Sequence, residues 1–115
     1  MAAFIGTVRD QNEGRAVVAI DYTAYEAMAA TTLEQIGTEL AAAAPELRVL
    51  LHHRLGRIAV GEASIAIVAA SPRRDAALAA VRTALERVKS EAPIWKREIY
   101  ADGSARWRED EPLTP

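Results

Sequence analysis

Two adjacent arginines, Arg73-Arg74, follow Ser71-Pro72, a strong helix start with Ser as N-cap and Pro at the first helical position. Placed second and third in that helix, they sit where the macrodipole disfavours cations by ~0.3–1 kcal/mol each. Free backbone N–H groups point outward at the same place. Two guanidiniums beside those donors make a cradle for phosphate or carboxylate, although two solvated arginines, or an ion pair with Asp75, satisfy the same spacing. Lys89 closes the helix, and Lys96 follows just past Pro93 and Trp95. A lysine at a helix C-terminus ordinarily serves the dipole. Lys96, however, alternates with Ile94 on one strand face, which draws its stem inward. A lysine held beside other cations has its charged form disfavoured and can act as a neutral nucleophile or base. Arg9 ends an apolar strand and opens a polar loop, a common position for binding residues. His52 and His53 are strand neighbours, point to opposite faces, and cannot chelate one metal together. Trp95 and Trp107 read as packing anchors.

These side chains need a scaffold, and 115 residues make one domain that buries roughly two-thirds of its unfolded surface. Half of the residues are hydrophobic, many of them alanine, and aromatics are few, so Val, Ile and Leu must build the core. There is no cysteine, which excludes disulfides, thiolate metal sites and a cysteine nucleophile on this chain. No apolar stretch approaches the ~20 residues of a membrane span, and no signal segment opens the chain, so a cytoplasmic location is expected. The formal net charge of −2 argues against a nucleic-acid binder. No glycine-rich nucleotide loop, metal-spaced carboxylate cluster or nucleophile elbow is present, and no resident cofactor or metal is expected.

The hydrophobic periods give the order ββαβββαββ. Ala2 to Val8 and Arg15 to Tyr22 read as strands flanking a polar loop, the second with Val18, Ile20 and Tyr22 at period two. A helix is predicted from about Tyr25 to Ala44, ended by Pro45, with Met28, Leu33, Ile36 and Leu40 as its apolar stripe. Leu47 to His53, Arg57 to Val60 and Ala63 to Ala70 follow as strands. The last is apolar on both faces and the best candidate for a central strand. The second helix runs from Ser71-Pro72 to about Lys89 and buries Leu78, Val81, Leu85 and Val88. Ile94 to Tyr100 and Ala105 to Trp107 form a hairpin about Asp102-Gly103. The expected class is α+β: a mostly antiparallel sheet with two main helices packed on it. Residues 1–107 read as a single domain, and residues 108–115 as a loose acidic tail.

Several runs together resemble the large, catalytic subunit family of molybdopterin synthase. They are Phe4-Ile5-Gly6-Thr7-Val8-Arg9, Asn12-Glu13-Gly14-Arg15, His53-Arg54-Leu55-Gly56, Val60-Gly61-Glu62 and Ser71-Pro72-Arg73-Arg74. Lys89 followed by Ala92-Pro93-Ile94-Trp95-Lys96-Arg97-Glu98 is the most distinctive. The ordered set spans Phe4 to Trp107 with matching spacing. The resemblance implies an α/β-hammerhead fold, apparently shortened at the N-terminus, and a homodimer within a heterotetramer. It implies a small ubiquitin-like partner whose Gly-Gly thiocarboxylate delivers sulfur to cyclic pyranopterin monophosphate. It casts Lys89 and Lys96 as the catalytic lysines, Arg9, Arg73 and Arg74 as holders of the anionic substrate, and Phe4 as a pocket wall. Arg73 stands where the family usually has histidine. A non-catalytic carrier-binding module of the same fold, or a small anion- or nucleic-acid-binding α+β domain, is the alternative.

Overall fold

The computed structural model describes residues 1–108, so the expected acidic tail, Arg108 excepted, lies outside the described residues. Eight strands and two helices run in the order β1 (Ala2–Thr7), β2 (Gln11–Asn12), β3 (Arg15–Ala24), α1 (Glu26–Ala41), β4 (Arg48–His53), β5 (Gly56–Ala59), β6 (Ala63–Ala70), α2 (Arg74–Glu91), β7 (Ile94–Tyr100) and β8 (Ala105–Trp107). The α+β class is as expected, but the strands divide into two antiparallel sheets, and β2 is an added short strand inside the polar loop.

The first sheet has the order β1-β6-β4, so the strand that is apolar on both faces is indeed central. Its inward rows are set by register: Phe4 lies opposite Ile67, and Ile67 opposite Leu51. Both helices cover this face. Ile36 of α1 and Ala84 and Val88 of α2 close over Ile65 and Ile67, with Phe4, Leu33, Leu40 and Leu51 around them. Gly37 lets α1 settle on β4, since a Cβ there would stand 3.3 Å from the Leu51 side chain. The helix stripes differ from the periodic reading. Met28 and Leu78 are exposed; α2 buries Val88 as expected, with Val81 and Leu85 partly covered, and fills the rest of its inner face with Ala77, Ala80 and Ala84. Small side chains bring the α2 backbone close to the sheet, and this turns the bulkier Leu78 outward.

Truncating Ile67 to alanine is expected to cost about 2–5 kcal/mol, because a fully buried residue enclosed on all sides leaves a cavity that cannot collapse. Denaturant unfolding would show it as a lower midpoint at unchanged slope. Leu50, 69% exposed on the outer face of β4, should change stability by less than about 0.5 kcal/mol on the same substitution. Equal effects at the two positions would refute this assignment of the core.

The second sheet has the order β2-β3-β7-β8, with β5 pairing β3 beyond β2 on the same edge. Its core is Val8, Val17, Ile20, Tyr22, Ile58 and Tyr100. A register shift between Val17 and Ala19 changes the phase of β3, so Val17 and Ala19 are buried and Val18 is exposed, against the simple period of two. On the outer face Asp21 accepts hydrogen bonds from Arg57 and from Arg97, both at 2.8 Å. These two arginines, Arg57 first, hold its carboxyl down at about 2.

Two helix boundaries also shift. The first helix ends at Ala41, before Pro45, in a tightened turn where the Ala43 N–H donates to the Leu40 carbonyl. The second begins at Arg74, with Arg73 as its N-cap. Ser71 instead accepts the Arg73 N–H at 3.1 Å in a turn that precedes the helix. The arginines therefore occupy the N-cap and first positions rather than the second and third.

Candidate active site

Along β7 the side chains alternate, and Lys96, Glu98 and Tyr100 point inward. This meets the expectation for Lys96, which is only 6% exposed, and Glu98 is 3% exposed. A buried ammonium and a buried carboxylate two residues apart on one face are costly to desolvate, and they survive only where polar partners receive them.

A small polar pocket of about 40 Å³ supplies that setting. It lies where the two sheets meet. The loop after β1 brings Arg9, β3 brings Tyr22, β6 brings Ser64, and β7 brings Lys96 and Glu98. Tyr22 stands directly across the strand pair from Lys96, so their side chains share one face at the short spacing of paired strands. Burial raises the Tyr22 phenol above its ordinary value, against a hydrogen bond with Ser64 that lowers it. The Ser64 hydroxyl also lies 3.3 Å from the Gly6 carbonyl as a donor. Gly6 is confined, since a Cβ there would come within 2.8 Å of the Ile65 side chain.

Glu98 accepts hydrogen bonds from Asn12 Nδ2 and from the Tyr100 hydroxyl, each at 2.8 Å. The guanidinium of Arg108 approaches the same carboxylate at 4.0 Å. Burial, followed by the bond to Glu98, raises the Tyr100 phenol. The pocket is thus a lined set of hydroxyls, one carboxylate and two cations. It can hold a small anionic group against Lys96 and offer protons from neighbouring hydroxyls.

His53 packs its ring edge-on against Tyr22, with centroids 4.9 Å apart, and its Nδ1–H donates to the Arg54 carbonyl at 2.7 Å. Burial lowers its pKa, favouring the neutral ring. His52 points outward, so the two histidines face opposite sides as expected. A much larger open groove, about 840 Å³, runs between α1 and β4. Its walls are mostly apolar, with Glu26, Glu34, Arg48 and the two histidines among them, and neither the lysines nor Arg9 line it.

The other expected site residues stand apart within one chain. Arg73 is exposed and pairs with Asp75 at 3.5 Å, the alternative its spacing left open. Arg74 is exposed at the first turn of α2 and Lys89 is half-buried in the last. At 1.5 Å per residue these two Cα positions are separated by about 22 Å. Phe4 packs into the core between sheet and helices. One chain therefore brings together Arg9 and Lys96, and does not bring Arg73, Arg74, Lys89 or Phe4 to their pocket. The residues not anticipated are Tyr22, Ser64 and Glu98. Glu98 was accessible from alternation with Lys96, whereas Tyr22 and Ser64 arrive only through strand pairing.

The MoaE protein family matches residues 1–91. A curated relative from Aedes aegypti, "Molybdopterin synthase catalytic subunit 1", is 44% identical over 96% of this chain and 73% of its own length. A crystal structure of molybdopterin synthase from Staphylococcus aureus superimposes with a TM-score of 0.87 at 34% identity, covering 93% of this chain and 77% of that one. A Helicobacter pylori complex of subunits 1 and 2 of molybdopterin-converting factor shares the fold, with a TM-score of 0.79 at 23% identity over 99% of this chain and 73% of that one. On the family match, and on relatives aligned along nearly its whole length, the chain belongs to the MoaE family, the catalytic subunits of molybdopterin synthase, which are sulfurtransferases of molybdenum-cofactor biosynthesis.

Proposed function

We propose that this chain moves sulfur from the C-terminal thiocarboxylate of a small ubiquitin-like carrier onto cyclic pyranopterin monophosphate, forming the dithiolene of molybdopterin. The observation that carries the reading is Lys96, buried in a polar pocket whose mouth bears Arg9. A thiocarboxylate is anionic and slim when it ends an extended Gly-Gly tail, which suits a narrow cationic pocket. Loss of sulfur leaves an acyl carbon that must take up a nucleophile, either water or a lysine amine. Lys96 is placed for either task, as the amine itself or as the group that handles a proton. Arg9 offsets the substrate phosphate.

Lys89 is assigned the second catalytic role, and Arg73, Arg74 and Phe4 substrate binding. Because Arg74 and Lys89 sit at opposite ends of α2, they complete a site only with a second copy, which fits a homodimer within a heterotetramer. The Helicobacter pylori complex of two subunits supports a small partner of this kind. Among the described residues no helix is long and apolar enough to cross a membrane.

The chain has no cysteine to carry a persulfide, so the sulfur must arrive on something else, and in this proposal that is the partner's thiocarboxylate. Product formation is therefore expected with intact thiocarboxylated carrier and is expected to vanish when the carrier's final glycines are deleted, while much of the protein–protein contact remains. Efficient turnover with free sulfide and no carrier would refute the carrier-dependent reading. Carrier binding without product would instead identify a non-catalytic carrier-binding module.

A further inference from the structure

We propose that Arg108 is a positioning residue, a clasp that holds the short hairpin around β2 against β7 and so sets where Arg9 and Gln11 stand relative to Lys96. The proposal rests on the reading of the Lys96 pocket given above.

The need for a clasp comes from the hairpin itself. Only Gln11 and Asn12 form β2, and they pair with β3 at Ala16 and Arg15 alone. Two residues of ladder are marginal by themselves. The turn that follows places Glu13, a residue with a Cβ, at φ 52° in the left-handed region before Gly14 at φ 79°. Such a conformation persists only where surrounding contacts hold it. Yet Gln11 and Arg9, on either side of Asp10, both line the pocket.

Arg108 supplies those contacts from the far end of the chain. Its backbone N–H donates to the Lys96 carbonyl at 2.9 Å. Its guanidinium forks onto Glu13, with Nη2 at 3.0 Å from Oε1 and Nη1 at 3.3 Å from Oε2. Its Nε lies 4.0 Å from Oε1 of Glu98, whose other oxygen accepts Asn12 Nδ2 at 2.8 Å. Asn12, Glu98, Arg108 and Glu13 therefore close a ring that ties the hairpin, β7 and the end of β8 together. An exposed ion pair of this kind would contribute little, but the Arg108 side chain is only 10% exposed and its fork is two-pronged. The hydrogen bond from Arg108 also keeps the Glu13 carboxyl below its ordinary range, as expected of a formed pair.

The test uses the full chain with Arg108→Met, which keeps the buried stem and removes the fork, and Glu13→Gln, a change at an exposed position. Hydrogen exchange of the amides of residues 11–14 should speed up about tenfold or more in both variants while β6 amides keep their protection. The KM for the pterin phosphate should rise roughly tenfold, since misplacement of about 1 Å at a site can cost a hundredfold. The double variant should be no worse than either single one, because both break the same contact. Arg108→Lys should recover only part of the effect, lacking the fork. Unchanged exchange at residues 11–14 would overturn the clasp. Faster exchange with unchanged KM would overturn the positioning role and leave the pocket standing. Normal turnover by Arg9→Ala and Lys96→Ala would remove the pocket reading itself, and the proposal with it.

Discussion

Lys96→Ala is expected to lower turnover by a factor of at least about a hundred, the usual contribution of a positioned acid, base or nucleophile. The amine is buried among Tyr22, Ser64 and Glu98, so no solvent-borne group can stand in for it without entering a pocket of about 40 Å³. Removing it also leaves Glu98 without one neighbouring positive charge, although Asn12 and Tyr100 still donate to that carboxylate. A moderate loss of stability should therefore accompany the loss of activity. Lys96→Met, which keeps the apolar stem, separates the two effects: it should fold nearly as well as the parent and turn over as poorly as the alanine variant. Lys96→Arg should not restore activity, because guanidinium stays protonated and is too large for the space. The measurement is product formation with thiocarboxylated carrier beside thermal unfolding of each variant. Turnover within threefold of the parent in Lys96→Met would remove this lysine from the chemistry.

A comparable loss is expected for Lys89→Ala, for a different reason. Lys89 lies in the last turn of α2 and does not line the pocket of its own chain. A lysine there contributes a fraction of a kcal/mol to the helix, so folding should be spared. If its amine serves the pocket of a second copy, the two lysine variants must complement each other. A mixed dimer of one Lys89→Ala chain and one Lys96→Ala chain holds one doubly damaged site and one intact site. Random mixing of the two inactive proteins should then restore about a quarter of parental activity, from the statistics of a two-fold assembly. No recovery on mixing would show that Lys89 acts within its own chain or not at all. Lys89→Arg distinguishes the remaining possibilities, since near-normal product from that variant would leave the residue only its charge.

How much of this could be read beforehand depends on which physical effect decides each position. The central place of β6 was legible because both of its faces are apolar, which only a strand covered on two sides tolerates. The inward turn of Lys96 was legible from its alternation with Ile94. Met28 and Leu78 misled because periodicity counts hydrophobic residues without asking how near the helix comes to the sheet. The alanines at 77, 80 and 84 let it come close enough that a leucine one position along has nowhere to go but out. Val18 misled because one register shift inverts the phase of everything before it. Ser71-Pro72 has the composition of a helix start, yet the Ser71 hydroxyl receives Arg73 and closes a turn of its own. The pocket was half legible. Arg9 and Lys96 declared themselves by type and position, whereas Tyr22 and Ser64 join them only because β3, β6 and β7 converge, and nothing local in the chain marks that convergence.

The pairing of the strands has a consequence for the birth of the molecule. Ala2 finds its partner at Ala69, and Val17 finds its partner at Tyr100. As the chain leaves the ribosome, β1 must wait for β6, and although one edge of β3 can pair β2 and β5 earlier, its other edge stays open until β7 has been made. Such non-local order slows folding and leaves strand edges open to other chains meanwhile. The first sheet can close once β6 and its helices emerge, but the Lys96 pocket cannot exist before β7 docks on β3. Catalytic competence is thus among the last properties the nascent protein acquires, and a chain stalled before β7 would hold the first sheet and its helices without a site.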